Sequence, residues 1–552
     1  QCFQFCLHIL AAIVSSMQLL SLVVVAAVPE HRCALSGIDN STYIQPWNSS
    51  AVLHSIPMKE NGKLDSCHIY GANRTIEECD SWVYDTKYYS TTRGTEWNFV
   101  CNQRWMFAVA QSSTKFGAVL GSLVLGRLCD RFGRKTIFHL AGILQLILGT
   151  IVAFTTDYYT FVTIRFLYGV FGISAFKAGF VLTIELIGPS RRTFCGSLFE
   201  VGYAVGVMLL GFWGFVVNNR FYLQILYALH ATILLPHLFL MDESPRWLWA
   251  QGRVDEAIAI VKKALKINRL PDTIDAPLLV SYHKERCKPR LKDTHAGTLD
   301  LFKTPNMLKR TLIICFCWFA NSIVYFGFTL NAGRLNGNPF FMLFLIGFVE
   351  VPGFVLAMFF VHKVGHRTLV STMMFLSGSC CLIVVLLPEW SVAVIVFVML
   401  GKLIVSGTFS IVIKYSAEIF PTVARSSGIG LATMCSSLSG ALTPLILLLD
   451  AFNAYIPTLI FGCITVVSGF TVLLLPETFG RSLPQTLEDG ERFGIGDTCF
   501  TKCKGRKISN KICTPYHLVL IDNVEETIFR EDCAMLLGSD GRTLSRLRSP
   551  LG

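Results

Sequence analysis

The sequence predicts an all-α polytopic membrane protein of twelve transmembrane helices in two parallel six-helix repeats. Three observations predict it. First, 52% of the 552 residues are hydrophobic and only 15% are charged, and the mean hydropathy is +0.52. A soluble domain carries about 25% charged residues, so lipid-facing helices must stand in for a solvated surface. Second, apolar runs long enough to cross a bilayer, about 20 residues each, recur along the chain. Third, charged signatures repeat at nearly one spacing. Glu185 and Arg192 in "ELIGPSRRT" recur 233 residues on as Glu418 and Arg425 in "EIFPTVARS". "DRFGRK", from Asp130, recurs 232 residues on as "HKVGHR", from His362, and Glu243 of "DESPRWL" recurs 234 on as Glu477 of "PETFGRSL". Three matches in register argue for duplication, and an even number of spans per copy makes the copies parallel.

In chain order, residues 1–29 hold span 1, at about 3–28. The chain begins at Gln1, already inside this apolar run. The run is longer than a signal core of about 7–15 residues and has no basic n-region, so it reads as a transmembrane helix of a chain whose start is missing. Residues 30–104 form a polar loop with Cys33, Cys67, Cys79 and Cys101 and three acceptor sequons, at Asn40, Asn48 and Asn73. Cysteines clustered with sequons predict a glycosylated extracellular loop with two disulfides, of pairing left open. Residues 105–240 carry spans 2 to 6, at about 105–126, 136–156, 158–181, 193–216 and 221–240. Residues 241–310 form a charged loop, in which "RVDEAIAIVKKALKI" puts Val254, Ala257, Ile258, Val261 and Leu265 on one helical face, an amphipathic helix under the bundle. Residues 311–475 carry spans 7 to 12, at about 311–333, 339–361, 367–388, 391–413, 426–449 and 453–475. Residues 476–552 read as a polar tail, with Cys499, Cys503 and Cys513 as unpaired thiols.

Orientation follows from lysine and arginine. The middle loop is rich in them, for example Arg253, Lys262, Lys263, Lys266 and Lys284, whereas the cysteine loop leans acidic at Glu77, Glu78 and Asp80. The middle loop and both termini are then cytoplasmic and the cysteine loop is outside. The net charge of +11 belongs to topology and calls for no nucleic-acid partner. No catalytic constellation, P-loop or metal-ligand cluster is present, so the sequence implies no enzyme, no cofactor and no metal. The expected partners are the lipid bilayer, a small organic ion and a coupling ion that the sequence leaves unassigned.

"GRLCDRFGRK" (Gly126–Lys135) resembles the signature loop of the major facilitator superfamily between helices 2 and 3, and "RFLYGVFG", with Arg165, resembles its helix 4 motif. "TEWNFVC", "ESPRWLWAQGRVDEA" and "AEIFPTVARSSGIG" narrow the likeness to the organic cation, carnitine and organic anion transporter family, over about residues 28–485. The resemblance implies alternating access around a site between the halves, in the plasma membrane. It also implies pocket positions: Tyr325 in "WFANSIVYFG", Glu350 in "VEVPGF", Phe176 and Phe180 beside Lys177 in "AFKAGFVL", and Ser437 in "MCSSLSGALTP". Cation carriers show an aspartate at the last position and carnitine or anion carriers an arginine. Ser437 is neither, so the usual charge discriminator is absent.

A charge at bilayer depth costs roughly 2.5–3.5 kcal/mol and usually faces a cavity or a partner. Lys115, Arg165, Lys177, Lys402, Lys414, Glu200 and Glu350 fall at such depth. Structural pairing or snorkelling accounts for Lys402 and Glu200. Lys177 and Glu350 across one cavity would suit a zwitterion, and the aromatics a quaternary or protonated amine. The expected cargo is an organic cation or zwitterion of the carnitine or amino-acid-derivative kind. The alternatives are an organic anion, favoured by the excess lysines, or a non-transporting sensor or receptor of the same fold. The charged gap itself reads as a latch. Gly126 and Gly133 permit a tight turn, Asp130 is placed to meet the N-terminus of a helix from the other half, which the resemblance implies is helix 11, starting just after Arg425, and Arg131 and Arg134 can pair with Glu185 or Glu418.

Overall fold

The computed structural model describes residues 2–35, 46–58, 64–71, 75–187, 192–267, 298–331, 337–361, 363–388, 391–479 and 486–495, with a few isolated positions between them. Asn40, Asn73, His362, Cys499, Cys503 and Cys513 lie outside these residues. Twelve spans follow in two repeats. Span 1 runs Cys2–Leu20 and resumes as Leu22–Val25. Spans 2 to 5 are Arg104–Phe132, Arg134–Phe154, Tyr158–Leu186 and Arg192–Val216. Spans 7 to 12 are Pro305–Leu330, Pro339–Val361, His366–Leu386, Val392–Ile419, Arg425–Leu447 and Ile456–Val472. Among the described residues nine helices are long and apolar enough to cross a membrane. Span 2 is diluted by the polar stretch Gln111–Lys115, span 12 has 17 residues, and span 6 is broken.

Span 6 runs Arg220–Leu229, tightens to a 3-10 turn at His230–Leu234, and ends as His237–Leu240. Pro236 is the cause: it lacks an N–H, and its ring crowds the carbonyl four residues back, at Thr232. The Thr232 hydroxyl meanwhile donates to the Leu229 carbonyl at 2.6 Å.

The gap "GRLCDRFGRK" is not a hairpin. Span 2 continues as helix through Phe132, and a single residue, Gly133 at φ +99°, separates it from span 3. Arginine continues a helix past the apolar stretch readily and aspartate at a cost of at most about 0.7 kcal/mol, whereas the left-handed φ is one that only glycine adopts cheaply. Spans 4 and 10 also outrun the expected ends and carry Glu185 and Glu418 in their last turns.

The polar loop folds into a small lobe. Strand His31–Cys33 pairs antiparallel with Trp82–Tyr84, and His68–Tyr70 with Ile76–Glu78. Disulfides join Cys33 to Cys79 and Cys67 to Cys101. Buried Arg32 and Asp39 form a bidentate pair at 2.7 and 3.0 Å. Asn48 is exposed, just ahead of helix Ser50–Ser55, which Ser49 caps. Arg93, with no exposed side chain, fastens the lobe to the bundle. It donates to the Val152 and Ala153 carbonyls at the end of span 3 and to Glu96 at 2.8 Å. Glu96 in turn accepts from Arg220 at the start of span 6. Trp97 of the "TEWNFVC" motif packs on Phe99, Tyr158 and Phe161.

At the opposite face, helix Val254–Ile267 buries Val254, Ala257, Ile258 and Leu265, and Lys263 pairs with Asp242 at 2.7 Å. Part of the segment expected as tail is folded. Helix Leu487–Arg492 docks under span 7, where the Glu491 carboxylate accepts from the Asn306 and Met307 amides at 3.0 Å. Arg310 donates to the Gly490 and Phe493 carbonyls. The capping box of Thr486 and Asp489 starts this helix, a short-range signal that the polar composition masks.

Candidate functional site

The two halves meet along spans 2 and 11 and along spans 5 and 8. On the lobe side Arg104 pairs with Asp450 at 2.8 Å, and the Ser112 hydroxyl donates to the Ala441 carbonyl at 2.7 Å. Gly211 and Gly347 let spans 5 and 8 approach closely: a Cβ on Gly211 would lie 2.8 Å from the Phe340 carbonyl oxygen, and one on Gly347 2.8 Å from the Met208 nitrogen. Deeper, Lys177 of span 4 donates to Ser122 at 2.8 Å and to Thr433 of span 11 at 3.0 Å. Ser197 of span 5 lies 3.5 Å from both Ser410 and Lys414 of span 10.

Between these layers sits a buried ion pair. Glu350 (span 8) and Lys402 (span 10) are 2.9 Å apart and both 0% exposed. The Tyr325 hydroxyl donates to Glu350 Oε1 at 2.9 Å, and the Lys402 ammonium lies 3.1 Å from the centroid of the Tyr325 ring. Lys402 also donates to Thr329 Oγ1 at 2.8 Å and to the Tyr325 carbonyl at 3.3 Å. Glu350 Oε2 has no hydrogen-bond partner among the described residues. Opposite this cluster, Lys115 of span 2 sits 3.7 Å over the Phe326 ring. Glu200 of span 5 lies in the field of both Glu350 and Lys414.

Aromatic rings pack beside these charges. Phe176 packs against Phe199 and Tyr203, Phe180 against Phe199, and Tyr325 against Phe409. The Ser437 hydroxyl folds back onto the Thr433 carbonyl at 3.0 Å. Of the expected pocket residues the structure brings Tyr325 and Glu350 together and groups Phe176 with Phe180. It does not pair Lys177 with Glu350: the lysine is held by two hydroxyls, and Lys402 is the counter-ion. Sequence reading gives Lys402 to structural pairing or snorkelling, and the structure shows the pairing, with Glu350 as the partner that the sequence leaves unnamed. Its place near the middle of span 10, far from either end, was the available signal. Phe199 and Tyr203, one turn apart on span 5, were missed.

The repeated signatures converge on the far face. Glu243 Oε1 accepts from the Arg134 amide at 3.1 Å, and both its oxygens accept from the Lys135 amide, which caps span 3. A Cβ on Gly133 would collide with the Glu243 carboxylate, and one on Gly365 with Glu477, its repeat mate. Arg134 pairs with Asp130 at 3.0 Å and Glu185 at 3.2 Å, and His366 faces Glu418 at 3.5 Å. These pairs stay within their own halves. Asp130, 71% exposed, makes no hydrogen bond or ion pair to the start of span 11 among the described residues, and Arg131 is exposed against its neighbour Phe132. Trp247 donates to the Asp130 carbonyl at 2.8 Å, tying the middle loop to the end of span 2. Gly126 lies inside span 2, Arg425 opens span 11 in the field of Glu418, and the Arg192 side chain is outside the described residues.

Residues 66–489 match the family model described as sugar (and other) transporter. An organic cation transporter protein of Drosophila melanogaster is 32% identical over 504 residues, covering 88% of this chain and 91% of that one. The chain belongs to the organic cation, carnitine and organic anion transporter family of the major facilitator superfamily. Human organic cation/carnitine transporter 2 is 32% identical over 85% of this chain and 87% of its own. A beta-alanine transporter of Drosophila melanogaster is 30% identical over 87% and 85%. Among solved structures, the xylose transporter of E. coli in a partially occluded inward open conformation superposes with a TM-score of 0.56 at 17% identity, over 88% of this chain and all of that one. That likeness carries the fold alone. A member of this transporter family is a multi-pass membrane protein that moves small organic solutes and is not an enzyme.

Proposed function

We propose that the chain carries small organic cations or zwitterions, of the carnitine or amino-acid-derivative kind, across the plasma membrane by alternating access. The lobe lies outside and both termini lie in the cytoplasm. The observation that supports this cargo is the buried Glu350–Lys402 pair, with Tyr325 as a shared aromatic wall and one Glu350 oxygen left without a partner. A substrate ammonium takes over Glu350 and the ring face that Lys402 now occupies. The released Lys402, with Lys115 opposite, then meets the substrate carboxylate. A free cation completes only the first exchange, so zwitterions are favoured. The names of the organic cation, carnitine and beta-alanine relatives agree with this chemistry.

Glu350→Gln should lower uptake of a labelled quaternary amine by at least about tenfold, roughly 1.4 kcal/mol of lost transition-state or ground-state binding. Unchanged uptake at unchanged surface expression would overturn the assignment.

The gate in this proposal is the far-face set of Gly126, Asp130, Arg131, Gly133, Arg134, Glu185, Arg192, Glu418 and Arg425. Their pairs within each half become contacts between halves when the cytoplasmic side closes, with Asp130 meeting the N-terminus of span 11. Asp130→Ala should increase labelling of cytoplasmic cysteine probes, and unaltered labelling would remove Asp130 from the gate.

A further inference from the structure

A second buried charge lies well away from Glu350, inside the first half. Arg165 is in the second turn of span 4 and is 3% exposed. It makes one hydrogen bond among the described residues, from Nη1 to Ser21 Oγ at 3.0 Å, at the break in span 1. The Ser21 hydrogen is already committed to the Gln18 carbonyl at 2.9 Å. The guanidinium lies 5.4 Å from the Phe161 ring and 5.5 Å from that of Tyr168. Among the described residues no carboxylate faces it. The other charged group within reach is Arg93, a second cation, 5.4 Å from the same Phe161 ring.

A small chamber opens beside Arg165, walled by Ser21, Gly149, Tyr168, Gln224, Tyr227 and Ala228. It leaves about 10 Å³ for the centre of a water-sized particle, which is room for one. Its polar groups are poorly served. Both amide atoms of Gln224 (3% exposed) and Arg165 Nε have no hydrogen-bond partner among the described residues; nor do those of Gln145 (0% exposed), which stands behind the wall rather than in it. Gln145 is turned toward the Tyr168 hydroxyl without bonding geometry.

We infer that this chamber binds one small monatomic anion, chloride under physiological conditions, held by Arg165 together with the side-chain amide of Gln224. A guanidinium inside a membrane span is stabilised by a counter-charge, and among the described residues none is supplied here, nor do two side-chain hydroxyls take its place as they do for Lys177. A water could fill the space and satisfy one or two of the orphaned atoms, but it would leave the charge uncompensated. An anion compensates the charge and accepts from the donors that line the space, the Arg165 N–H groups, the Gln224 amide N–H and the Tyr168 hydroxyl, while the amide oxygen turns away from it. The walls admit a single ion: Gly149 and Ala228 carry little or no side chain, and Tyr227 is fixed by its own bond to the Leu210 carbonyl at 2.8 Å. The site shares no residue with the proposed cargo site and does not depend on the identity of the cargo.

The test uses the full chain in lipid nanodiscs, with sodium chloride replaced stepwise by sodium gluconate at constant ionic strength. The Tm should rise with chloride along a saturating curve, because a ligand that binds only the folded state stabilises it by mass action. Bromide should reproduce the rise, and crystals grown in bromide should show an anomalous peak within hydrogen-bond distance of Arg165. Arg165→Gln should abolish the chloride dependence. Should that variant fail to fold, Gln224→Leu is expected to raise the half-maximal chloride concentration by about tenfold, the loss of one donor. Equal Tm values in chloride and gluconate, an empty anomalous map, or a chloride response unchanged in Gln224→Leu would each overturn the site in favour of water alone.

Discussion

At the scale of single residues the decisive contact is between Glu350 and Lys402. A buried pair is weak evidence for stability, but removing one partner strands the other charge and costs about 3–5 kcal/mol. Lys402→Met should therefore sharply lower the Tm and the surface yield. The double variant Glu350→Gln with Lys402→Met should recover much of the Tm while transport stays low, and thermal unfolding in detergent alongside uptake separates the two effects. If the double variant is no more stable than Lys402→Met, the two charges are not partners. This pair also marks where sequence reading stops. Tyr325 and Glu350 were legible because each sits in a motif of its own span. The lysine that completes them comes from a third span, and no spacing within a helix announces a partner two helices away. The same limit explains why Lys177 was matched to Glu350: both are buried charges, and only packing shows that Lys177 ends on Ser122 and Thr433.

At the scale of elements, the turn between spans 2 and 3 and its repeat between spans 8 and 9 use one device, a glycine sealed by a distant glutamate. They differ in backbone. Gly133 has φ +99°, whereas Gly365 has φ −57°. Gly133→Ala therefore meets both a forbidden backbone region and the Glu243 carboxylate, and Gly365→Ala meets only the Glu477 carboxylate. The first should cost more, with about 1–3 kcal/mol of backbone strain added, visible as a larger fall in Tm. Equal falls would mean that the backbone contributes nothing. The repeat and its glycines were visible in the sequence, because charge signatures survive at a fixed offset. The continuation of span 2 to Phe132 was not, because hydropathy marks where a helix leaves the lipid and not where it ends. Span 6 ends at Leu240, where hydropathy puts it, but not as one helix: Leu234–Leu240 is apolar enough to continue a helix, and Pro236 interrupts it.

At the scale of the whole molecule, the lobe-side closure rests on modest contacts. Arg104 is 39% exposed, so its pair with Asp450 is a partly screened surface bridge worth about 0–1 kcal/mol. Such an amount does not hold a fold together, but it shifts a two-state balance up to about fivefold. Asp450→Asn should increase labelling of a cysteine placed at Ser112 by an impermeant external thiol reagent two- to fivefold, with Tm nearly unchanged. A constant labelling rate would show that the bridge does not bias the halves. The lobe has a further consequence for such measurements. Arg93 and Glu96 anchor it to spans 3 and 6, all in the first half, while Tyr89 merely touches Phe340 of the second, 4.9 Å between ring centroids. The lobe is thus a lever arm fixed to one half and resting on the other. A fluorophore on the lobe and another on the external end of span 8 would turn each transport cycle into a change of distance outside the membrane.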